Sequence, residues 1–195
     1  MVKGPKGFSD EEKQELRNKL CTECERSWAL HGYKKTSVGE MTSKIGISTG
    51  AFYLLYSSKE DLFCETIERV QCRLRDMMNG IIRENPTKEG FALSLKSLFR
   101  EYDSTPFLYD VSNPDFLSFI NKLPKDKVEK LKFDNLDFFN DAICYAKLIL
   151  KVEQEKAYAV FSALLYTVSA KENLRYDHVE VFDFIIDGIM DDLFE

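Results

Sequence analysis

Two helix-start signals stand unusually close together in the segment IGISTGAFYLLYSSKEDLF, residues 45–63. Ser48 and the pair Ser57-Ser58 are of the residue type that caps helix amino termini, and only about three helical turns separate them. The helix between them is predicted to have barely two turns, and a helix this short is marginal in water. We therefore expect neighbouring helices to hold it while its outer surface is presented to a partner.

Apolar residues recur at helical spacing along almost the whole chain, and no alternation of strand period extends for any length. The prediction is an all-α fold. Ser9 and Ser37 each precede a glutamate by three residues, which is the spacing of a capping box, and His31-Gly32 and Gly46 end the first two helices. Further helices are predicted near residues 58–82, 88–103, 114–122, 125–150, 153–172 and 178–194.

Composition excludes several classes of protein. A chain of 195 residues that is 44% hydrophobic is too apolar to be disordered. No apolar run approaches the ~20 residues of a membrane span, and the first residues lack the apolar stretch of a signal peptide. We expect a cytoplasmic protein with no membrane partner. Cys21 and Cys24 are spaced like a redox or zinc pair, but no second pair of ligands accompanies them, which favours core thiols.

Charge is distributed unevenly along the chain. Residues 1–60 contain ten Lys/Arg and eight Asp/Glu, whereas residues 61–195 contain seventeen and twenty-five, although the net charge is −6. Between Tyr33 and Lys59 the only acidic residue is Glu40, so the region around the short helix is mildly basic. Local positive charge permits a nucleic-acid partner, because phosphate contacts dominate that binding.

The spacing of helix, tight turn at Gly46 and second helix from Ser48 predicts a helix-turn-helix. Met41, Ile45, Ile47, Phe52 and Tyr56 are expected to pack against Leu20, Cys24 and Trp28. The opposite face would carry small and low-relief side chains suited to a major groove, namely Thr49, Gly50, Ala51, Tyr53 and Leu54.

At these residues the chain resembles the amino-terminal domain of TetR-family transcriptional regulators. The run from Gly32 to Phe63 agrees with the family pattern at sixteen ordered positions: Gly32, Tyr33, Ser37, Val38, Met41, Gly46, Ile47, Ser48, Gly50, Phe52, Tyr53, Tyr56, Ser58, Lys59, Glu60 and Leu62. The resemblance covers about the first third of the chain. It divides the chain into a DNA-binding domain at residues 1–57 and an effector-binding and dimerisation domain at residues 58–195.

The resemblance also implies roles for single residues. Thr49 and Ala51 correspond to base contacts and Gly50 to a close approach to DNA, whereas Tyr53 and Lys59 correspond to phosphate contacts. Ser37 begins the second helix, where the family meets the DNA backbone. The sequence departs from the family pattern at Leu54 and Leu55, which replace positions that are usually polar or aromatic, and at Gly39, where some members carry a base-reading arginine.

The remainder of the chain is rich in aromatic residues, with fourteen Phe and Tyr between Phe91 and Tyr166. An ordinary aromatic core explains such a cluster, and so does a ligand pocket between helices, which the resemblance favours. The predicted effector-pocket residues are Phe99, Tyr102, Phe107, Phe116, Phe119, Asn135, Phe138 and Phe139.

The last two helices carry more apolar surface than one partner face would cover. Packing within one subunit is one explanation, and the resemblance implies another, a four-helix interface between two copies of the chain. The predicted dimer-interface residues are Phe161, Leu164, Leu165, Val168, Val181, Ile185 and Ile189.

The sequence thus predicts a homodimeric TetR-like regulator, a repressor that binds a palindromic operator in double-stranded DNA and is released by a small apolar or amphipathic effector. No cofactor is implied. An enzyme is disfavoured because no catalytic or metal-ligating constellation is present. The alternative is a helical ligand-binding or scaffold protein with weakened DNA binding, which Leu54-Leu55 supports.

Overall fold

The computed structural model describes residues 8–104, 113–131, 135–167 and 173–195. Within these ranges the chain is all α, as predicted, and the only strand-like pairing is an isolated antiparallel bridge between Leu150 and Phe194. None of the described helices is long and apolar enough to cross a membrane.

The described ranges contain ten helices. Within the predicted helix at 125–150, the described residues are helical at 125–131 and 135–145. The helices are α1 (Asp10–Lys35), α2 (Val38–Ile45), α3 (Thr49–Tyr53), α4 (Lys59–Glu84), α5 (Lys88–Ser104), α6 (Pro114–Ile120), α7 (Lys125–Leu131), α8 (Asn135–Tyr145), α9 (Gln154–Tyr166) and α10 (His178–Leu193).

The predicted serine caps are present. Ser9, Ser37 and Ser48 each accept a hydrogen bond from the backbone N–H three residues later, and so does Ser58. At Ser9 the capping box is complete, since Glu12 also accepts from the Ser9 N–H at 2.7 Å. These bonds satisfy N–H groups that a helix start leaves without a partner, so the starts of the first four helices are fixed by local chemistry.

The chain forms two compact units. The first, the head unit, comprises Met1–Arg69 and Val111–Leu131, and the second, the body unit, comprises Val70–Asp110 and Lys132–Glu195. This division differs from the predicted boundary at residue 57. The first turns of α4 pack with the head unit, and so do α6 and α7, although they lie far along the chain.

An aromatic cluster explains why α6 belongs to the head unit. Trp28 is fully buried, and its ring centroid lies 4.4 Å from Phe63, 5.3 Å from Phe119 and 6.0 Å from Phe116. Tyr33 adds an edge-to-face contact with Phe63 at 5.1 Å. Such ring pairs contribute about 0.5–1.5 kcal/mol each beyond area burial. The cluster therefore fixes α6 against α1 and the start of α4.

In the body unit, α5 packs along α10. Phe99 stacks on Phe182 with centroids 3.9 Å apart and ring planes 11° apart. At the edge of this contact, three ion pairs join the two helices at four-residue intervals along α10. They are Lys88–Asp191, Lys96–Asp187 and Arg100–Asp183.

Gly32 interrupts α1 where the sequence predicts its end, and a further helical turn continues to Lys35. Its backbone has φ 77° and ψ 171°, a region that is essentially restricted to glycine. The break frees the N–H groups of Tyr33 and Lys34, and both donate to the carboxylate of Asp115 on α6. A Cβ at Gly32 would lie 2.6 Å from an oxygen of that carboxylate.

We predict that Gly32→Ala lowers the free energy of unfolding by at least about 2 kcal/mol, because it combines a forbidden backbone conformation with displacement of Asp115. Gly39→Ala is the matched control. Gly39 lies in α2 with open space where a Cβ would be placed, so this variant should be stabilised by about 0.5–1 kcal/mol. Urea denaturation of both variants tests this, and equal stabilities would contradict the proposed role of Gly32.

Candidate nucleic-acid interface

A tight turn joins α2 to α3. Gly46 adopts the left-handed conformation with φ 75° and ψ 30°, and its N–H bonds back to carbonyls of α2. The N–H of Ile47 then reaches the Thr42 carbonyl at 3.0 Å. Two residues later, Ser48 caps α3. This is the predicted helix-turn-helix, with glycine at the one position where the backbone requires it.

The inner face of α3 is anchored by aromatic residues. Phe52 is fully buried, and Leu55 and Tyr56 are nearly so. The Tyr56 hydroxyl lies 3.5 Å from the Cys21 sulfur. Burial raises the pKa of both Tyr56 and Cys21, so both groups stay neutral at physiological pH. Cys21 and Cys24 are buried core residues, consistent with core thiols.

The end of α3 is also held by an arginine–glutamate pair that the sequence did not indicate. Arg17 donates through Nη2 and Nε to one oxygen of Glu65, at 2.7 and 3.1 Å, and through Nη1 to the Leu55 carbonyl at 3.2 Å. Its guanidinium carbon lies 4.6 Å from the Tyr56 ring centre. Arg69 donates to the other Glu65 oxygen at 2.6 Å. Glu65 thus orients the arginine that fixes the α3 terminus.

The outer face of α3 presents the predicted residues. The Tyr53 side chain is 57% exposed and Leu54 is 71% exposed. Thr49 and Gly50 are exposed, and Ala51 is half-buried. Ser37 is exposed at the start of α2, although its hydroxyl already accepts the Glu40 N–H.

The two lysines that flank this surface are engaged by the protein. Lys44 donates to Glu23 at 2.7 Å. Lys59, a predicted phosphate contact, donates to the Tyr33 carbonyl and lies 4.1 Å from the centre of the Tyr33 ring. Burial lowers the pKa of Lys59. Its ammonium therefore faces the head unit, whereas Lys34 and Lys35 at the end of α1 are exposed.

The described residues among the predicted effector-pocket residues belong to both units. Phe116 and Phe119 lie in the head unit against Trp28. In the body unit, Phe99 and Phe139 are buried in the core, and Tyr102 and Phe138 pack half-buried against it. Burial raises the pKa of Tyr102 to about 12. Phe107 and the side chain of Asn135 lie outside the described residues.

The predicted dimer-interface residues also divide. Phe161 is buried in its own body unit against Phe91, Phe139 and Phe194, so it is not available to a second copy. Leu164, Leu165 and Ile189 pack partly against the same core. Val181 and Ile185 are half-buried, and between them Phe184 is 81% exposed. Val168 lies outside the described residues.

The five-residue helix α3 follows a glycine turn, is capped by Ser48, and is buried on one face and exposed on the other. These features define a helix-turn-helix protein. The sequence profile of the bacterial regulatory proteins of the tetR family matches residues 24–66, which span this unit. Over these residues the chain is therefore similar to proteins of that family.

Two kinds of similarity accompany the profile match. The helix-turn-helix transcriptional regulator YdgC of Bacillus subtilis, itself uncharacterized, is 30% identical over 71 residues, which is 36% of either chain. The aligned region thus spans only about a third of that relative. The fold of the transcriptional regulator FadR from Bacillus subtilis, solved in complex with stearoyl-CoA, aligns with a TM-score of 0.66 at 17% identity, over 89% of this chain and 96% of FadR.

A second solved structure, a protein from Saccharomonospora viridis in complex with choline, aligns with a TM-score of 0.67 at 15% identity, over 93% of this chain and 99% of that one. Identities this low establish the fold alone. Together the two alignments extend the likeness beyond the helix-turn-helix to the described helices of the body unit.

We predict that Glu65→Gln lowers the free energy of unfolding by about 2 kcal/mol at pH 7, because it leaves Arg17 and Arg69 without a charged acceptor. Burial raises the pKa of Glu65, but hydrogen bonds from the arginines outweigh it, so the pKa lies below its usual range. The difference from wild type should therefore be constant above about pH 5 and shrink as pH falls below about 4.

The control is Glu15→Gln, which breaks the exposed Glu15–Lys19 pair on α1. Exposed pairs of this kind contribute little to stability, so this variant should have the same free energy of unfolding as the wild type. Denaturant titrations at pH 7, 5 and 3.5 make the comparison. A Glu65→Gln difference that is independent of pH would contradict the role of the ionised carboxylate.

Proposed function

We propose that this chain is a DNA-binding transcriptional regulator that acts as a homodimer on a palindromic operator, and that it is a repressor released by a small apolar or amphipathic effector. The observation that carries the proposal is the rigid presentation of α3. Phe52 is fully buried behind the helix, while Tyr53 and Leu54 project from it. A surface held in this way, with low relief, suits insertion into a major groove.

The proposed phosphate contacts come from the edges of this surface. Lys34 and Lys35 are exposed on the turn that precedes α2, and the described residues contain no ion-pair partner for either ammonium group. The Tyr53 hydroxyl at the flank of α3 is a further candidate. Ser37 stands at the start of α2, where the backbone of a bound duplex would pass. The proposed base contacts come from the remaining residues of this surface, namely Thr49, Gly50, Ala51 and Leu54.

Support for a homodimer comes from the outer side of α10. Contiguous exposed apolar surface marks interaction sites, and here Phe184 is 81% exposed with half-buried Val181 and Ile185 beside it. Leu164, Leu165 and Ile189 would form the border of the same interface. Two copies related by a two-fold axis would cover this surface with itself, which is the geometry that a palindromic operator requires.

The proposed effector would bind in the body unit. Structural neighbours hold stearoyl-CoA and choline, which supports a small-molecule ligand without naming it. Of the predicted pocket residues, Tyr102 and Phe138 are the two whose side chains are only partly covered in the described structure. The two aromatic rings would offer an apolar surface to such a ligand.

A second candidate is a helical ligand-binding or scaffold protein whose DNA binding is weak. The observation in its favour is that the protein itself engages both flanking lysines, since Lys44 is paired with Glu23 and Lys59 donates to the Tyr33 carbonyl. Fewer free cations reduce the sequence-independent part of the affinity. The two candidates differ in whether the protein selects any duplex sequence.

Selection from random duplex DNA by the full chain tests DNA binding, and we expect enrichment of a palindromic sequence. Replacing Lys34 and Lys35 together by alanine should weaken binding to all sequences alike and reduce the slope of log affinity against log salt by roughly two. Replacing Lys19 and Lys156 by alanine is the control, because both are exposed lysines outside the helix-turn-helix. Failure to enrich any sequence would favour the second candidate.

Phe184→Glu tests the dimer. A charge in a closed apolar interface is strongly unfavourable, so the variant should sediment as a monomer at concentrations where the wild type is a dimer, and operator binding should fall with it. Leu93→Glu is the control, because Leu93 is 51% exposed on α5 and lies outside the proposed interface. A wild type that is already monomeric would contradict the proposal.

A further inference from the structure

The segment from Ile45 to Ser58 contains no charged side chain and no side-chain amide. This segment includes all of α3 and both of its flanks. The commonest sequence-specific contacts in a major groove are bidentate, from arginine or lysine to guanine and from asparagine or glutamine to adenine. None of these residue types is available on the exposed face of α3.

The nearest lysines do not replace them. Lys44 lies one residue before the segment and Lys59 one residue after it. The Lys44 ammonium is 2.7 Å from Glu23, and the Lys59 ammonium is directed to the Tyr33 carbonyl and ring. For either one to reach a base, it would first have to leave these partners.

The hydroxyl groups of α3 supply little discrimination. The Ser48 hydroxyl accepts the Ala51 N–H at 3.1 Å, and Thr49 and Tyr53 carry the exposed hydroxyls of the helix. A hydroxyl can donate or accept, so it fits the donor of one base as well as the acceptor of another. Contacts from these groups therefore add affinity without distinguishing strongly between base pairs.

The apolar surface of α3 can discriminate. Leu54 is 71% exposed to solvent at the end of α3, and Ala51 and the Thr49 methyl group add to it. The base edges of the major groove offer a single apolar group, the C5-methyl of thymine. An exposed leucine gains by covering such a methyl, and it loses when placed against the polar edges of a G·C pair, whose donors and acceptors it would cut off from water.

We propose that α3 reads an A·T-rich half-site through thymine C5-methyl groups, and that Leu54 is the main specificity-determining residue. The proposal rests on the proposed DNA binding and names the class of sequence that the same surface takes. The five residues of α3 rise about 7.5 Å along the helix axis, so the directly read part of each half-site is about three base pairs.

The test uses the full chain and the duplex enriched by selection. Each thymine of one half-site is replaced in turn by deoxyuridine, which removes only the C5-methyl and keeps the Watson–Crick pairing. We expect at least one replacement in the three central base pairs of the half-site to weaken binding about fourfold, the effect of one methyl group withdrawn from apolar contact. Replacement of thymines outside the half-sites is the DNA control.

A double-mutant cycle then assigns the methyl to its partner. Leu54→Ala should weaken binding to the thymine duplex severalfold. On the duplex with uracil at the contacted position, Leu54→Ala and the wild type should bind with equal affinity, because the interaction is already absent. Leu30→Ala is the matched protein control. Leu30 is another exposed leucine of the head unit, 61% exposed on α1, and its replacement should leave both affinities unchanged.

The outcomes separate this inference from the proposed function. Two outcomes would overturn methyl recognition but leave the proposed DNA binding in place. One is sequence-selective binding with equal affinity for thymine and uracil duplexes, and the other is an enriched half-site whose central pairs are G·C. A methyl effect that persists undiminished in Leu54→Ala overturns the role of Leu54. Absence of binding to any duplex overturns both proposals together.

Discussion

The packing of aromatic rings around Trp28 is the interaction on which the head unit depends. Trp28 lies on α1, Phe63 on α4, and Phe116 and Phe119 on α6, and each of the three rings contacts the tryptophan. The two short helices α2 and α3 cannot bury enough apolar surface to be stable on their own. The cluster supplies that surface from a helix about fifty residues further along the chain. The head unit is therefore discontinuous in sequence.

A second consequence follows from the break at Gly32. The chain direction changes there without a loop, which leaves two backbone N–H groups free in a partly buried place. Asp115 accepts both, so a carboxylate on α6 completes the end of α1. Because this acceptor also lies next to Phe116, the polar and apolar contacts of α6 reinforce one another. The position of α6 is then fixed in rotation as well as in distance.

The parts of the fold that depend on neighbouring residues were predictable, and those that depend on distant ones were not. The serine caps and the Gly46 turn each depend on patterns of about four residues. The starts of the first four helices and the exposed side of α3 can therefore be predicted from the sequence. Apolar spacing identifies a buried face but not its partner. For that reason the sequence predicts a pocket role for Phe116 and Phe119, which pack on Trp28, and an interface role for Phe161, which packs in the core of the body unit. Lys59 matched a family position, but its rotamer depends on the Tyr33 carbonyl 26 residues away.

The charge arrangement of the head unit bears on how strongly one head can bind alone. Acidic residues engage Lys44, Lys122, Lys127, Arg17 and Arg26 within the head unit, which leaves few cations for phosphates. Few phosphate contacts mean low affinity for each half-site and a shallow dependence on salt. In the proposed homodimer, the second head binds at a high effective concentration once the first is bound, and this can raise the affinity by a factor of 10² to 10⁴ without any new contact. Occupancy would then depend mostly on simultaneous engagement of both half-sites, so that a weakly charged head makes the protein more sensitive to any change in the spacing of its two heads.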